Sequence, residues 1–211
     1  MVKKNYLDLQ YKIMKIFIII NLFLLLIINV YASEDEKKIV ILVNDNVITN
    51  YDIEQRIIIF AILNQIQITT ENSEAITNKI VDELIDNLLK IEKIEEYDVK
   101  VDSNDLNNYE NQYFKARKLK KEELLELMRI NNVNEKHFYD MLYNDIAWQI
   151  LISRLYYRVT SISDAEIEDL IYKDSGLTHE IAKTILMDKQ LGLKSSKMLI
   201  DLRSEATIEY K

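Results

Sequence analysis

The sequence predicts a mainly α-helical protein with one small β-sheet. Three observations carry that reading. Apolar residues recur at three- and four-residue spacing through most of the chain after residue 50. Two capping boxes, Thr49-x-x-Asp52 and Ser163-x-x-Glu166, open helical stretches. β-Branched runs suited to strands stand near residue 40, in "KIVILVNDNVITN", and at "ATIEY" close to residue 210. With 48% apolar and 29% charged residues in 211, the composition is that of a globular chain of one or two domains.

The N-terminus stands apart. Lys3, Lys4, Lys12 and Lys15 precede the apolar run "IFIIINLFLLLII" (Ile16–Ile28), and "NVYAS" follows, with Val30 and Ala32 at −3 and −1 to a cleavage point. A basic lead, a short apolar core and a small-residue exit predict a secretory signal peptide over 1–32, cut after Ala32. The run is shorter than the roughly 20 residues that span a bilayer, and the alternative is an uncleaved anchor. Met14 offers a second start, since "MKIFIII" is a more usual signal opening. Residues 1–32 carry four Lys and one Asp, so their removal moves the formal charge from −8 to −11. Such an acidic surface repels phosphate backbones and argues against nucleic acid as a partner. The chain has no cysteine, so an exported form relies on core burial alone, without disulfides.

The elements follow in order. Ile39–Val43 and Val47-Ile48 read as two strands around an Asp45-Asn46 turn, because both turn residues tolerate positive φ. Thr49 and Asp52 then open a helix across "NYDIEQRIIIFAILNQ". A second helix over Ser73 to about Tyr97 carries Ile80, Val81, Leu84, Ile85, Leu88 and Ile91 as one broad apolar stripe. Helices are expected from Ser103 to about Lys118, capped by Asp102, and over Lys121–Ile130. The longest helix, Asn134–Arg158, shows two apolar faces. Tyr139, Tyr143, Ile146, Ile150 and Tyr157 make one, while Met141, Trp148, Leu151, Ile152 and Leu155 make the other. A helix apolar on two sides sits between neighbours or lines a groove. Ser163 and Glu166 open a short helix to about Lys173. Beyond the glycine loop come one or two helices, Glu180–Leu191 and Ser195–Ser204, and a last strand that can close a sheet with the N-terminal hairpin.

Residues that could carry catalysis are few. His137 and His179, the two histidines, lack metal-ligand spacing and read as ordinary surface or boundary groups. Asp98, Asp102 and Asp105 lack the glycine and the twelfth-position Glu of a calcium loop. The chain shows no phosphate-cradling glycine loop, no GxSxG elbow and no cysteine nucleophile. No cofactor, metal or small-molecule substrate is expected. The remaining lead is aromatic: Tyr109, Tyr113, Phe114, Phe138, Tyr139, Tyr143, Trp148, Tyr156 and Tyr157 gather in the middle helices. Core packing explains most of these rings. The functional alternative is a groove for apolar and aromatic side chains of extended peptides, since rings supply contact area at low entropic cost.

Four segments in the same order resemble the SurA family of periplasmic chaperones. "VNDNVITNYDIEQRI" is similar to the family's "V-N-x-x-V-I-T-x-x-D-h-x-x-R" opening, where h is apolar. "IVDELIDNLLKIEKIEEYDVKVDSNDL" resembles its next helix and exit. "MRINNVNEKHFYDMLYNDIAWQILISRLYYRVTSISDAEIEDL" resembles its following helix and "S-D-x-E-h" segment. "KTILMDKQLGLKSSKMLIDLRSEATIEYK" is similar to its C-terminal helix and strand, with Leu202, Arg203, Ala206 and Ile208 in an "L-R-x-x-A-x-I" ending. In that family a parvulin-type prolyl isomerase domain stands between the last two segments, where this chain has only Asp174 to Thr178. The resemblance therefore implies a chaperone domain over 33–175 completed by a C-terminal helix and strand over 176–211, with no isomerase activity carried over. It implies a periplasmic, ATP-independent chaperone that binds unfolded outer-membrane proteins. Two rivals remain: an anchored or secreted interaction protein without general chaperone activity, and a protein with residual isomerase activity. Tyr113, Met141 and Trp148 are the expected peptide-binding residues. Thr49, Asp52, Arg56 and Arg203 are expected to hold the fold.

Overall fold

The computed structural model describes residues 37–211, so the expected signal peptide over 1–32 lies outside the described residues. Strand β1 (Ile39–Val43) runs into β2 (Asn46–Thr49) through a turn at Asn44-Asp45, one residue earlier than expected. Asn44 takes the positive φ, 51°, a conformation that an asparagine tolerates at little cost. The reason for Asn44 is tertiary: its backbone N–H donates to Thr207 O and its side-chain oxygen accepts from Thr207 N, both at 2.9 Å. Its Nδ2 also donates to Glu92, as does Nδ2 of Asn46, at 2.8 and 2.7 Å. One turn thus ties together the hairpin, a helix and the C-terminal strand.

Seven helices follow. They are α1 (Asn50–Asn64), α2 (Ser73–Glu96), α3 (Ser103–Arg117), α4 (Lys121–Ile130), α5 (Glu135–Tyr156), α6 (Asp164–Lys173) and α7 (His179–Glu205). Strand β3 (Ile208–Tyr210) ends the described chain. The sheet order is β2-β1-β3, antiparallel throughout, with Val43 opposite both Asn46 and Ile208. The fold is mainly α with a small sheet built from the N-terminal hairpin and the C-terminal strand, as the sequence predicts.

Local chemistry explains the helix starts. Thr49 and Asp52 form the reciprocal box that opens α1, and Ser163 with Glu166 opens α6 the same way. Asp102 accepts from the amides of Asn104 and Asp105 at the start of α3. Beyond the loop, α7 is one continuous helix, not two, and Gly192 lies inside it. A mid-helix glycine costs about 1 kcal/mol relative to alanine, which the packing of the second half of α7 on α2 and α5 offsets.

The core lies in three clusters, and α5 enters two of them. Phe138 and Leu142 join Ile59, Tyr113, Phe114, Leu124 and Met128. Further along, Ala147, Trp148, Leu151 and Ile152 join Ile94 and Val99. The third cluster seats Ile41, Val43 and Ile48 on Ile85 and Leu89 of α2. The two faces expected for the long helix resolve differently: the face with Trp148, Leu151 and Ile152 is buried, while Tyr143 and Tyr157 on the other are 37% and 56% exposed. Its burial is divided along its length between two sets of neighbours, which a helical projection does not distinguish.

Candidate functional site

The N-terminal half of α5 faces α1 and α2 across a groove made of two cavities. The first, about 360 Å³, lies between β2, α2 and α5. Its apolar wall is Val47 and Ile48 with Leu84, Leu88 and Ile91, and its polar rim includes Asp52, Asn87, Lys136 and Asn144. Part of the α2 stripe therefore lines the groove, while Ile80 and Ile85 of the same stripe are buried. The second cavity, about 240 Å³, lies between α1, α3 and α5, over Ile59, Phe60 and Leu63. Arg56 and Met141 line both.

Next to Arg56 on α1, Gln55 is a buried polar side chain, only 3% exposed. Its carbonyl oxygen accepts from Asn134 N at 2.7 Å and its amide donates to Asn132 O at 3.3 Å. One α1 residue thereby pins the turn that launches α5, satisfying its own polar atoms in doing so.

The second cavity carries unusual charge. Asp145 faces it one turn beyond Met141, and among the described residues no cation lies within ion-pairing distance of its carboxylate. Burial pushes the Asp145 carboxyl above the usual carboxylate range, although Lys90, Arg56 and Arg117 pull the other way from further off. Tyr109 is pushed up to about 12, first by burial and then by the Asp145 charge. Arg117 lies with its guanidinium 3.7 Å from the Tyr113 ring centroid, a cation–π contact that holds it at the rim. Arg56 reaches Glu83 at 3.9 Å, a long and partly exposed pair that leaves guanidinium donors for other uses.

Two of the three sequence-expected peptide-binding residues, Tyr113 and Met141, meet at the second cavity, and the third does not. Met141 lines both cavities, and Tyr113 forms a wall of the second at 6% exposure. Tyr113 also packs edge-on against Phe114 and Phe138, so it serves core and wall at once. Trp148 sits elsewhere, 5% exposed, with its indole N–H donating to Ser195 Oγ of α7 at 2.8 Å. Of the residues expected to hold the fold, Thr49 and Asp52 cap α1 and Arg203 links α7 to Asp82 and Asp86 of α2. Arg56 has a second place, on the shared wall of the groove. Sequence reading overlooked Gln55, Arg117 and Asp145. A signal was available for two of them: Arg117 follows Tyr113, and Asp145 follows Met141, by the four residues that share a helix face.

Among the described residues no acidic or histidine cluster could hold a metal. What the groove offers is an apolar trough with guanidinium donors and carboxylate acceptors along its sides. A family model described as the SurA-like N-terminal domain matches residues 1–152. The chain belongs to that family. The curated protein Chaperone SurA of Buchnera aphidicola subsp. Schizaphis graminum is 24% identical to it over 215 residues, which covers 92% of this chain and 49% of the relative. The chain thus spans about half the length of the curated relative it matches. A solved chain also resembles this SurA-like protein. It comes from work on the virulence factor PEB4 and the periplasmic protein Cj1289, two structurally related SurA-like chaperones of Campylobacter jejuni. That chain is 17% identical, with 65% of this chain and 50% of that one covered, at a TM-score of 0.35. No described helix is long and apolar enough to cross a membrane.

Proposed function

We propose that this SurA-like protein is an ATP-independent chaperone of the periplasm that holds unfolded polypeptides, outer-membrane proteins among them, in the α1–α2–α5 groove. The observation that carries the reading is the composition of that groove. Met141, Leu84, Leu88 and Phe60 supply adaptable apolar surface, and an unbranched methionine adjusts to many side-chain shapes. Arg56 and Arg117 can donate to main-chain carbonyls, while Asp145 and Asn64 can accept from main-chain amides. A holder of unrelated sequences needs contacts to the backbone, which every client shares, and apolar contacts that tolerate variation. Shielding an extended segment this way keeps its free strand edges from pairing with other chains. Affinity stays modest because the client loses conformational freedom on binding.

The same reading takes residues 1–32 as a cleaved signal peptide and 33–175 as the chaperone domain, completed by 176–211. The connection from α6 to α7 is the short loop Asp174–Thr178, which leaves no room for a catalytic domain between them. We therefore assign no isomerase activity. The test expresses the full chain in an exporting host, isolates the protein and reads its N-terminus. A urea-unfolded outer-membrane β-barrel protein is then diluted with and without it, in the absence of ATP. Suppressed light scattering at near-equal molar ratio is expected, and Met141→Glu should weaken it. No suppression by folded protein sinks the general-chaperone reading and favours a binding partner of narrow specificity.

A further inference from the structure

A second cleft lies on the opposite part of α5, between its C-terminal half and α7, with a volume of about 490 Å³. Ile150, Ile152 and Leu191 form its apolar wall, and Gln149, Ser153, Asp188 and Ser195 its polar edge. No lysine or arginine lines it. The remaining lining residue is Gly192, whose place in a long helix calls for explanation, since glycine is a poor helix former. Neither of the usual reasons applies. Its φ is not positive, and a Cβ built there meets nothing within 4 Å. No backbone strain and no close neighbour requires the missing side chain; its effect is open volume in the cleft.

We propose that this cleft is a subsite for a lysine or arginine side chain of an extended client, the aliphatic stem lying along Ile152 and Leu191 and the cationic head at Asp188. The inference rests on the chaperone reading above. Three features select that occupant. The carboxylate of Asp188 has no ion-pair partner among the described residues. The other edge groups offer hydroxyl and amide oxygens as further acceptors. The depth beside Gly192 suits a long unbranched stem, and long basic side chains bury their methylenes while keeping the charged head wet. A purely apolar side chain would desolvate the Asp188 edge without compensating it.

The test uses the tryptophan already in place. Trp148 is the sole tryptophan of the chain, and its indole donates to Ser195 at the cleft edge, so its fluorescence reports occupancy. Full-chain protein is titrated with acetyl-Ser-Leu-Arg-Leu-Ser-amide and with the same peptide carrying citrulline, which keeps the shape of arginine without its charge; calorimetry gives an independent affinity. A solvent-exposed ion pair supports a preference of about threefold to fivefold for the arginine peptide. That preference should vanish in Asp188→Asn, and Gly192→Leu should weaken both peptides while leaving the circular dichroism of the protein intact and its melting temperature no lower than that of wild type. Equal affinity for the two peptides, no binding of either, or a preference that survives in Asp188→Asn overturns the proposal. The holding reading is judged separately: aggregation suppressed by wild type with no charge preference removes the subsite alone, whereas a charge preference without suppression removes the chaperone.

Discussion

Replacing Gln55 tests how α1 is tied to the start of α5. Its side chain makes one bond to Asn134 N and one to Asn132 O, and it is almost wholly enclosed. Each such bond contributes about 1 kcal/mol net. The backbone groups left behind belong to exposed residues, so water can reach them and the full penalty of a buried orphan does not apply. Alanine also removes methylene packing, about 0.8 kcal/mol per buried CH2. Gln55→Ala should therefore cost about 3 kcal/mol, and in a chain of this size that lowers the melting temperature by about 6–12 °C. Gln55→Met keeps most of the volume and loses both bonds, so it should cost about 2 kcal/mol, the polar share alone. Thermal and urea unfolding followed by circular dichroism measure both variants. Client holding by Gln55→Ala should fall well below its melting point, because α1 and the start of α5 are no longer pinned. A Gln55→Ala protein that melts within about 1 °C of wild type refutes the clamp, since even one lost bond exceeds that shift.

Three further outcomes follow from the charges. Arg203 joins α7 to Asp82 and Asp86, and these side chains are partly exposed, so Arg203→Ala should cost about 1 kcal/mol in low salt and less at high ionic strength. Urea midpoints at two salt concentrations decide it, and an equal loss at both would show that the arginine acts through packing. At Asp145 the folded pKa is raised, so its contribution to stability is full below the unfolded carboxyl value and is lost as pH rises through the folded value. Asp145→Asn should then unfold at higher temperature than wild type at neutral pH, with the gap closing in acid. Tyr109, pushed up to about 12, gives stability that is present below its ordinary value near 10 and lost as pH rises through about 12. Its phenolate absorbance, read as wild type minus Tyr109→Phe, should appear at lower pH in Asp145→Asn, because one charge that opposes ionisation is gone. An unchanged titration would separate the two groups.

Much of the secondary structure is legible because it is local. Thr49 with Asp52, Ser163 with Glu166, and Asp102 each satisfy amides within three residues, so spacing alone announces those helix starts. The strands near the two ends are legible as β-branched runs, and their pairing follows from the need of a hairpin for a third strand. The candidate site is less so. Met141 could be named from a projection of α5, but Trp148 stands on the same projected face and is buried in the core with its indole bonded to α7, since neighbours change along the helix.

From sequence alone came the mainly helical class, the caps, the hairpin and the resemblance to SurA-like chaperones, all properties of short-range pattern and order. Only the tertiary structure decided that α7 runs unbroken through Gly192, that Asn44 and Glu92 lock the hairpin to β3 and α2, and that Gln55 spans to the α4–α5 turn. Those contacts join residues far apart in the chain, and which distant groups meet depends on how the helices pack, not on the propensities of the residues themselves. The charge of Asp145 shows the same division. Its identity is written in the sequence, while its burial, and so its raised pKa, exists only once α1, α3 and α5 close around it.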